Sequence, residues 1–253
     1  TLEDTDADVL TFTWFVNGVQ TFVQTITDIV ANIFTGLFDY LFASEGEFNI
    51  TLVANDSASN DTFTFRITSN DTIPPSFNQT LTNFTIELGV NISYDVNASD
   101  LLFGDYSIND TTRFKINATT GLLENISVIP IGAYLVNITV NDTSNNINSS
   151  VITIFINDST SPTWNETPQN FTVNLNVSIK YDINASDLAF NNYFTNDTTN
   201  FRINATTGLL ENNTFLILGS YIVNITANDT SNNRISAIIN ITVTDVTPPF
   251  FNE

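Results

Sequence analysis

An asparagine followed two places later by a hydroxyl residue is the acceptor for N-linked glycan transfer, and this chain carries that triplet 25 times. Its 253 residues hold 37 Asn, and Ser plus Thr number 57. Chance placement at that composition gives about 8 such triplets. A threefold excess marks heavy glycosylation, the chemistry of an extracellular or cell-surface chain. The acceptors expected on exposed positions are Asn49, Asn78, Asn91, Asn117, Asn137, Asn165, Asn176, Asn204, Asn224 and Asn240.

Other chemistry is narrowly bounded. With no Cys and no His, disulfides, thiolate sites, cysteine nucleophiles and the usual general base are all absent. Lys plus Arg number 6 against 27 Asp plus Glu, a net charge of −21, so no basic face exists for nucleic acid or an anionic membrane. Acid–base catalysis would have to come from carboxylates alone. Asp4, Asp6 and Asp8 are close enough in sequence to form a pair, but alternate Asp in such a segment reads as a solvated edge or a metal ligand. No Gly-rich phosphate loop accompanies them, so the chain reads as non-enzymatic. Trp14 and Trp164 fall on apolar parity or beside a linker, which makes them packing residues rather than a sugar platform. Apolar residues reach 42 % with 21 Phe, enough to build real cores. The longest apolar-rich stretch, residues 26–42, is broken by Thr27, Asp28, Asn32, Thr35 and Asp39, so no membrane span is expected.

The elements that must carry these residues repeat. YDVNASD at 94–100 returns as YDINASD at 181–187, and FKINATTGLLE at 114–124 returns as FRINATTGLLE at 201–211, both 87 residues on. Gly132, Tyr134, Val136 and the Asp142-Thr-Ser-Asn-Asn run recur at the same offset. Three Pro-bearing linkers, at 70–75, 157–162 and 244–249, separate the units and are stiff by composition. Phe84, Ile86, Leu88, Val90, Ile92 and Tyr94 share one parity, as do Phe171, Val173, Leu175, Val177, Ile179 and Tyr181. Period two over that length is a strand pattern, here two strands joined near Leu88-Gly89. Tyr134, Val136, Ile138 and Val140 alternate against Asn137, Thr139 and Asn141, which puts acceptor Asn137, like Asn224 and Asn240, on the outward face. In the first unit Leu10, Phe12, Trp14 and Val16 alternate up to Asn17-Gly18, a hairpin turn. Residues 22–42 fit either a short helix or two strands. The expected fold is all-β: three tandem antiparallel β-sandwiches over 1–73, 74–160 and 161–247, with 248–253 opening a further joint.

Residues 74–247 resemble cadherin-type repeats. Ala185-Ser186-Asp187, Phe201 to Leu209, Tyr221 to Asp229, and Asp245 to Phe251 stand where that family has its motifs. The first unit, with LTFTWFVNG and then GEFNITLVAND, is similar to PKD-type Ig-like domains of prokaryotic, chiefly archaeal, surface proteins. Both resemblances imply tandem Ig-like, cadherin-like antiparallel Greek-key β-sandwiches arranged as a rod, without enzymatic activity. The cadherin resemblance further implies calcium between modules, held by Asn70, Asp71, Asp100 and Asp142 at one joint and by Asn157, Asp158, Asp187 and Asp229 at the next. The family's Leu-Asp-Arg-Glu segment is missing, with Ile131-Gly132 and Leu218-Gly219 near its place. Glu87 matches a family ligand where the third unit has Asn174. Asp-Thr-Ser-Asn-Asn reads equally as an Asx-capped turn with no metal.

Joining Glu253 to Thr1 restores Asn-Glu-Thr-Leu, the sequence style of the other linkers, and suggests either one period of a longer continuous repeat chain or copies stacked head to tail in the same register. The expected function is therefore a structural glycoprotein of an extracellular filament. A surface-layer or stalk component, or an adhesin, is the alternative.

Overall fold

The computed structural model describes residues 10–26, 39–56 and 58–249, and every regular element within them is a β-strand. In the first module β1 (Leu10–Val16), β2 (Val19–Ile26), β3 (Gly46–Asn55) and β4 (Asn60–Ser69) form one antiparallel sheet in the order β2-β1-β3-β4. Asn17 and Gly18 turn β1 into β2 with φ of 49° and 80°, the doubly positive geometry that Asn-Gly tolerates. Leu10, Phe12, Trp14 and Val16 bury one face of β1, as their alternation requires. Of the stretch left open between helix and strands, residues 22–26 belong to β2. Residues 27–38 lie outside the described residues, as do Asp4, Asp6, Asp8 and the Glu253–Thr1 junction.

The second module runs β5 (Ser76–Phe77), β6 (Phe84–Glu87), β7 (Ser93–Asp95), β8 (Ala98–Ser99), β9 (Phe103–Ile108), β10 (Phe114–Ile116), β11 (Leu122–Asn125), β12 (Gly132–Asp142) and β13 (Ile147–Asn157). Its sheets are β6-β13-β12-β9 and β10-β11-β7, with a short β5-β8 pair. The third module repeats this plan with β14 (Thr163–Trp164), β15 (Phe171–Asn174), β16 (Lys180–Tyr181), β17 (Ala185–Ser186), β18 (Phe190–Thr195), β19 (Phe201–Ile203), β20 (Leu210–Asn212), β21 (Gly219–Asp229) and β22 (Arg234–Thr244). One correction applies to the antiparallel reading. β6 pairs with β13, and β15 with β22, in parallel. The first edge strand and the last strand of each module both run toward the following joint, so they can only pair in that sense.

Each of these modules is a sandwich around its own core. Val136, Ile138 and Val140 on β12 and Ile152, Ile154 and Ile156 on β13 meet Ile92, Val96, Phe114 and Leu123 from the facing strands. Val223, Ile225, Ile239, Ile241 and Val243 meet Ile179, Ile183, Phe201 and Leu210 in the same way. Such fully buried aliphatic and aromatic side chains contribute about 1.5–3 kcal/mol each. Tyr134 donates its hydroxyl to the carbonyl of Pro130 at 2.8 Å, and Tyr221 to that of Ile217 at 3.2 Å. This tyrosine corner is a mark of Ig-like sandwiches. Phe48 stands at that position in the first module.

The repeated Asn-Ala-Thr-Thr-Gly segment has a local cause. Asn117 Oδ1 accepts the amides of Thr119 and Thr120, and Gly121 N returns to the Asn117 carbonyl. Gly121 then takes φ of 75°, and a Cβ there would lie 2.0 Å from the Val96 carbonyl oxygen. A Cβ on Gly208 would likewise lie 1.9 Å from the Ile183 carbonyl oxygen. Gly121→Ala should therefore cost about 3 kcal/mol. Gly18→Ala, with nothing within 4 Å of its Cβ, should cost about 1 kcal/mol. Urea midpoints of the two variants against the parent chain decide this, and equal shifts would overturn the close-approach argument.

Candidate metal centres at the module joints

Two of the strand-end carboxylates sit where β12 and β21 run out. Asp142 and Asp229 are almost wholly buried, at 1 % and 0 % exposure. Asp142 Oδ1 accepts the amides of Ser144 and Asn146, and its Oδ2 accepts Asn146 Nδ2 at 2.7 Å. Asp229 does the same with Ser231 and Asn233. The Asp-Thr-Ser-Asn-Asn run is thus an Asx-capped turn, and that turn fixes the aim of the carboxylate.

Two further carboxylates converge on each. Asp71, Asp100 and Asp142 bring one oxygen apiece within 4.8 Å of one another, and Asp158, Asp187 and Asp229 form a second, equivalent group. Oxygens each about 2.4 Å from a common ion can stand up to about 4.8 Å apart, so the spread suits one calcium-sized cation. Asp100 and Asp187 are held by accepting the amides of Leu102 and Ala189. In the linkers, Asp71 Oδ1 accepts Ile73 N and Asp158 Oδ1 accepts Thr160 N. Their Oδ2 atoms are buried without a hydrogen-bond partner. A buried, unpaired carboxylate oxygen within a like-charged group is costly unless a cation satisfies it. The donor set is all oxygen, which suits a hard divalent ion. The residues present fit calcium.

A long-range hydrogen bond assembles each group. Asn146 Nδ2 also reaches the Asp71 carbonyl at 3.2 Å, and Asn233 Nδ2 the Asp158 carbonyl at 3.1 Å, both across 75 residues. Asn148 Nδ2 adds a bond to the Pro75 carbonyl. None of the three Asn was singled out by sequence, although Asn146 and Asn233 close the repeated Asp-Thr-Ser-Asn-Asn run. The candidate ligands Asn70 and Asn157 are exposed. The Asn157 carbonyl accepts Leu88 N at 2.7 Å, which extends the β6–β13 ladder.

Glu87 takes another task. Its carboxylate accepts the amides and hydroxyls of Ser159 and Thr160, at 2.6 to 3.1 Å, and so clasps the second linker. At the first joint Glu45 Oε1 accepts Asp71 N at 2.7 Å. The Ser159 amide, together with the two hydroxyls and the Thr160 amide, holds the Glu87 carboxyl below its ordinary range. Burial pushes Asp158 up, and the charges of Asp229, Asp187 and Glu87 push the same way against the Thr160 amide. For Asp142 burial also acts upward, but the hydrogen bonds from Asn146 and Ser144 outweigh it and the carboxyl lies below its ordinary value.

No known protein family matches the sequence, and no curated protein does. Among solved structures, the titin domains Z1Z2 in complex with telethonin align at 13 % identity, over 70 % of this chain and 100 % of that one, with a TM-score of 0.45. The insect immune protein hemolin aligns at 11 % identity over 78 % of this chain and 56 % of its own, TM-score 0.45. The human desmocollin-1 ectodomain aligns at 15 % over 79 % and 47 %, TM-score 0.35. On its own geometry, the region of residues 76–244 is two tandem β-sandwiches of Ig-like plan, each with its tyrosine corner.

The shifts carry signs that can be tested. Asp158 is raised on folding, so the cation-free chain gains stability as pH falls through its ionisation. Asp142 and Glu87 are lowered, so their contributions are present near neutrality and fade as pH drops below the usual carboxylate range. Were calcium the ion at the second joint, it would require Asp158 ionised, and its affinity there should fall about tenfold per pH unit once Asp158 protonates. Calorimetric titration between neutral and acid pH should show this loss. A pH-independent affinity would overturn the assignment.

Proposed function

We propose that this chain is a non-catalytic structural glycoprotein of an extracellular surface filament. Its tandem sandwiches are stiffened by calcium at the joints, coated by N-linked glycans, and continued head to tail by copies of itself. The observation that carries this reading is the pair of equivalent carboxylate groups, each drawing on a linker and the module after it. A cation there resists bending between modules, which is a mechanical property rather than a catalytic one.

Glycan attachment is supported by what surrounds the acceptors. Asn117 and Asn204 are exposed and use only Oδ1 in their turns, which leaves Nδ2 for the glycan bond. On the outer face of the third module, exposed Ile238 stands directly opposite Asn224, and exposed Ile222 opposite Asn240. Val151 stands opposite Asn137 in the second. Glycans at these positions would cover apolar side chains that face away from the core. Asn137 and Asn224 are half-buried between flanking strands, so they are tighter sites than Asn240.

Other triplets are structural. Asn125 Nδ2 donates to the Ser127 carbonyl, Asn212 Nδ2 to that of Thr214 and Asn148 Nδ2 to that of Pro75, while Asn228 is buried. Site-resolved mass spectrometry of native material should find Asn117 and Asn204 occupied and Asn125, Asn148, Asn212 and Asn228 bare. Occupancy in the reverse pattern would show that triplet density, not geometry, governs attachment.

The filament reading is tested by antibody labelling of the source cells under the electron microscope, with small-angle scattering of the isolated chain. Label along fibres, and a longer, stiffer particle in calcium than in chelator, are expected. A uniform coat would favour a surface lattice, label only at fibre bases a stalk, and a scattering profile indifferent to calcium would remove the joint mechanism.

A further inference from the structure

The three-stranded sheet of each complete sandwich carries one cross-strand row of polar residues, and the two rows differ. In the second module Ser93 on β7, Glu124 on β11 and Lys115 on β10 stand in register, and Lys115 Nζ pairs with Glu124 at 3.1 Å. In the third module the same row reads Lys180 on β16, Glu211 on β20 and Arg202 on β19. Residues opposite one another in register share a face, so these three side chains are neighbours. Arg202 donates to Glu211 Oε2 through Nε at 3.0 Å, and its Nη2 lies 3.0 Å from the same oxygen. None of the ion pairs among the described residues includes Lys180. One carboxylate therefore lies between two cations, where the sister row is balanced.

This row borders a cleft of about 400 Å³ whose walls also include Ser178, Asn213 and Phe215. Small-molecule sites begin at about 300 Å³. Ser178, Lys180, Arg202, Asn213 and Phe215 stand where the second module has Asn91, Ser93, Lys115, Ile126 and Val128. The framework beneath is unchanged. Ile179 and Ile92 are equally buried, and Asn212 and Asn125 each accept the amide of that isoleucine and donate to a carbonyl two residues on. Divergence between the copies has thus altered the cleft wall and kept its support. It also has a double effect at the first two positions. Asn91-Ile92-Ser93 is a glycan-acceptor triplet, whereas Ser178-Ile179-Lys180 is not, the neighbouring acceptor standing at Asn176 in the turn before β16. The same stretch loses an acceptor and gains a cation.

We infer that this cleft binds a carboxylated sugar, a uronic acid residue, with its carboxylate on Lys180 and its ring against Phe215. A lysine ammonium without a carboxylate partner offers three donors to such an anion. Phe215 is 60 % exposed, and the C–H edge of a pyranose is attracted to the negative face of an aromatic ring. Asn213 Nδ2 is spent on the carbonyls of Thr198, Thr199 and Phe201, so its Oδ1 is the part of the amide left to accept a sugar hydroxyl. Both Arg202 contacts fall on Glu211 Oε2, which leaves Oε1 for the same purpose.

Charge selects the sugar over an acidic peptide. The field of a chain carrying −21 opposes any anion at a distance, and Glu211 opposes it at close range, so the excess positive charge here suffices for one carboxylate and not for several. A uronic acid residue brings one negative charge among neutral hydroxyls. None of the residues involved belongs to the module joints, so the inference stands apart from the cation reading.

The test is an amide NMR titration of the full 253-residue chain with three probes: glucuronate linked to glucose, the neutral disaccharide cellobiose, and tetraglutamate. The glucuronate disaccharide should shift amides of β16, β20 and residues 213–215. Lys180→Ser should weaken it about tenfold and Phe215→Val about fivefold. Ser and Val are the residues the second module carries at these positions, and circular dichroism melts confirm that each variant is folded. Cellobiose binding as tightly as the glucuronate disaccharide would overturn the carboxylate contact. Tetraglutamate binding more tightly would make the cleft a peptide site and overturn the sugar assignment. Shifts elsewhere in the chain, no shifts with any probe, or unchanged affinity in folded Lys180→Ser would each overturn the inference.

Discussion

Among the described residues, the two module joints share one unfavourable arrangement, three carboxylates gathered in one place. At the 4.8 Å limit of their spread, each pair of charges repels by about 3 kcal/mol at an effective dielectric of 20. Hydrogen bonds aim the groups but do not neutralise them, since the donors around Asp142 and Asp229 are amides. A cation converts that repulsion into attraction between parts contributed by a linker and by the module beyond it. A cation held there, as proposed, would firm the joint while leaving the cores on either side unchanged.

The frame that holds the carboxylates in place was largely legible in sequence. Period-two alternation located β12 and β21 and their inward Val and Ile, and the 87-residue register showed that Asp142 and Asp229 occupy equivalent places. The Thr-Gly motif was visible as a repeat, but its cause was not. That cause is the approach of Gly121 to the Val96 carbonyl, a contact across 25 residues. The choice between ligand and Asx turn for Asp142 was a false opposition, because the turn holds the carboxylate in its aim and leaves it able to serve as a ligand.

What stayed illegible shares a physical character. Asn146 reaching the Asp71 carbonyl, Asn233 reaching that of Asp158 and Glu87 clasping Ser159 are side-chain bonds spanning more than 70 residues, and no local pattern encodes them. The same applies to acceptor triplets. Asn125 and Asn212 have the glycan sequence but spend their amide nitrogens on the backbone of a turn. Part of the Asn excess is thus architectural: in a chain with 13 % charged residues and no His or Cys, asparagine does the capping and cross-linking that other chains share among several residue types. The parallel pairing of β6 with β13 was hidden for a related reason, since strand alternation specifies faces but not partners.

The joints are not equivalent, and their differences follow the same logic. At the second joint Glu87 makes four hydrogen bonds to linker residues, and Gly89 lets Leu188 close over it, so the linker keeps its path even when the carboxylates are not bridged. At the first joint a single bond from Asp71 N to Glu45 does less. Beyond the third module Asn174 and Asn176 replace both devices. The linker contacts that need no cation are therefore more numerous at the second joint than at the first. A duplicated module kept identical at both poles would have produced joints of one strength. Divergence at 174 and 176, with the core positions of β15 and β16 retained, altered the poles without altering the sandwich.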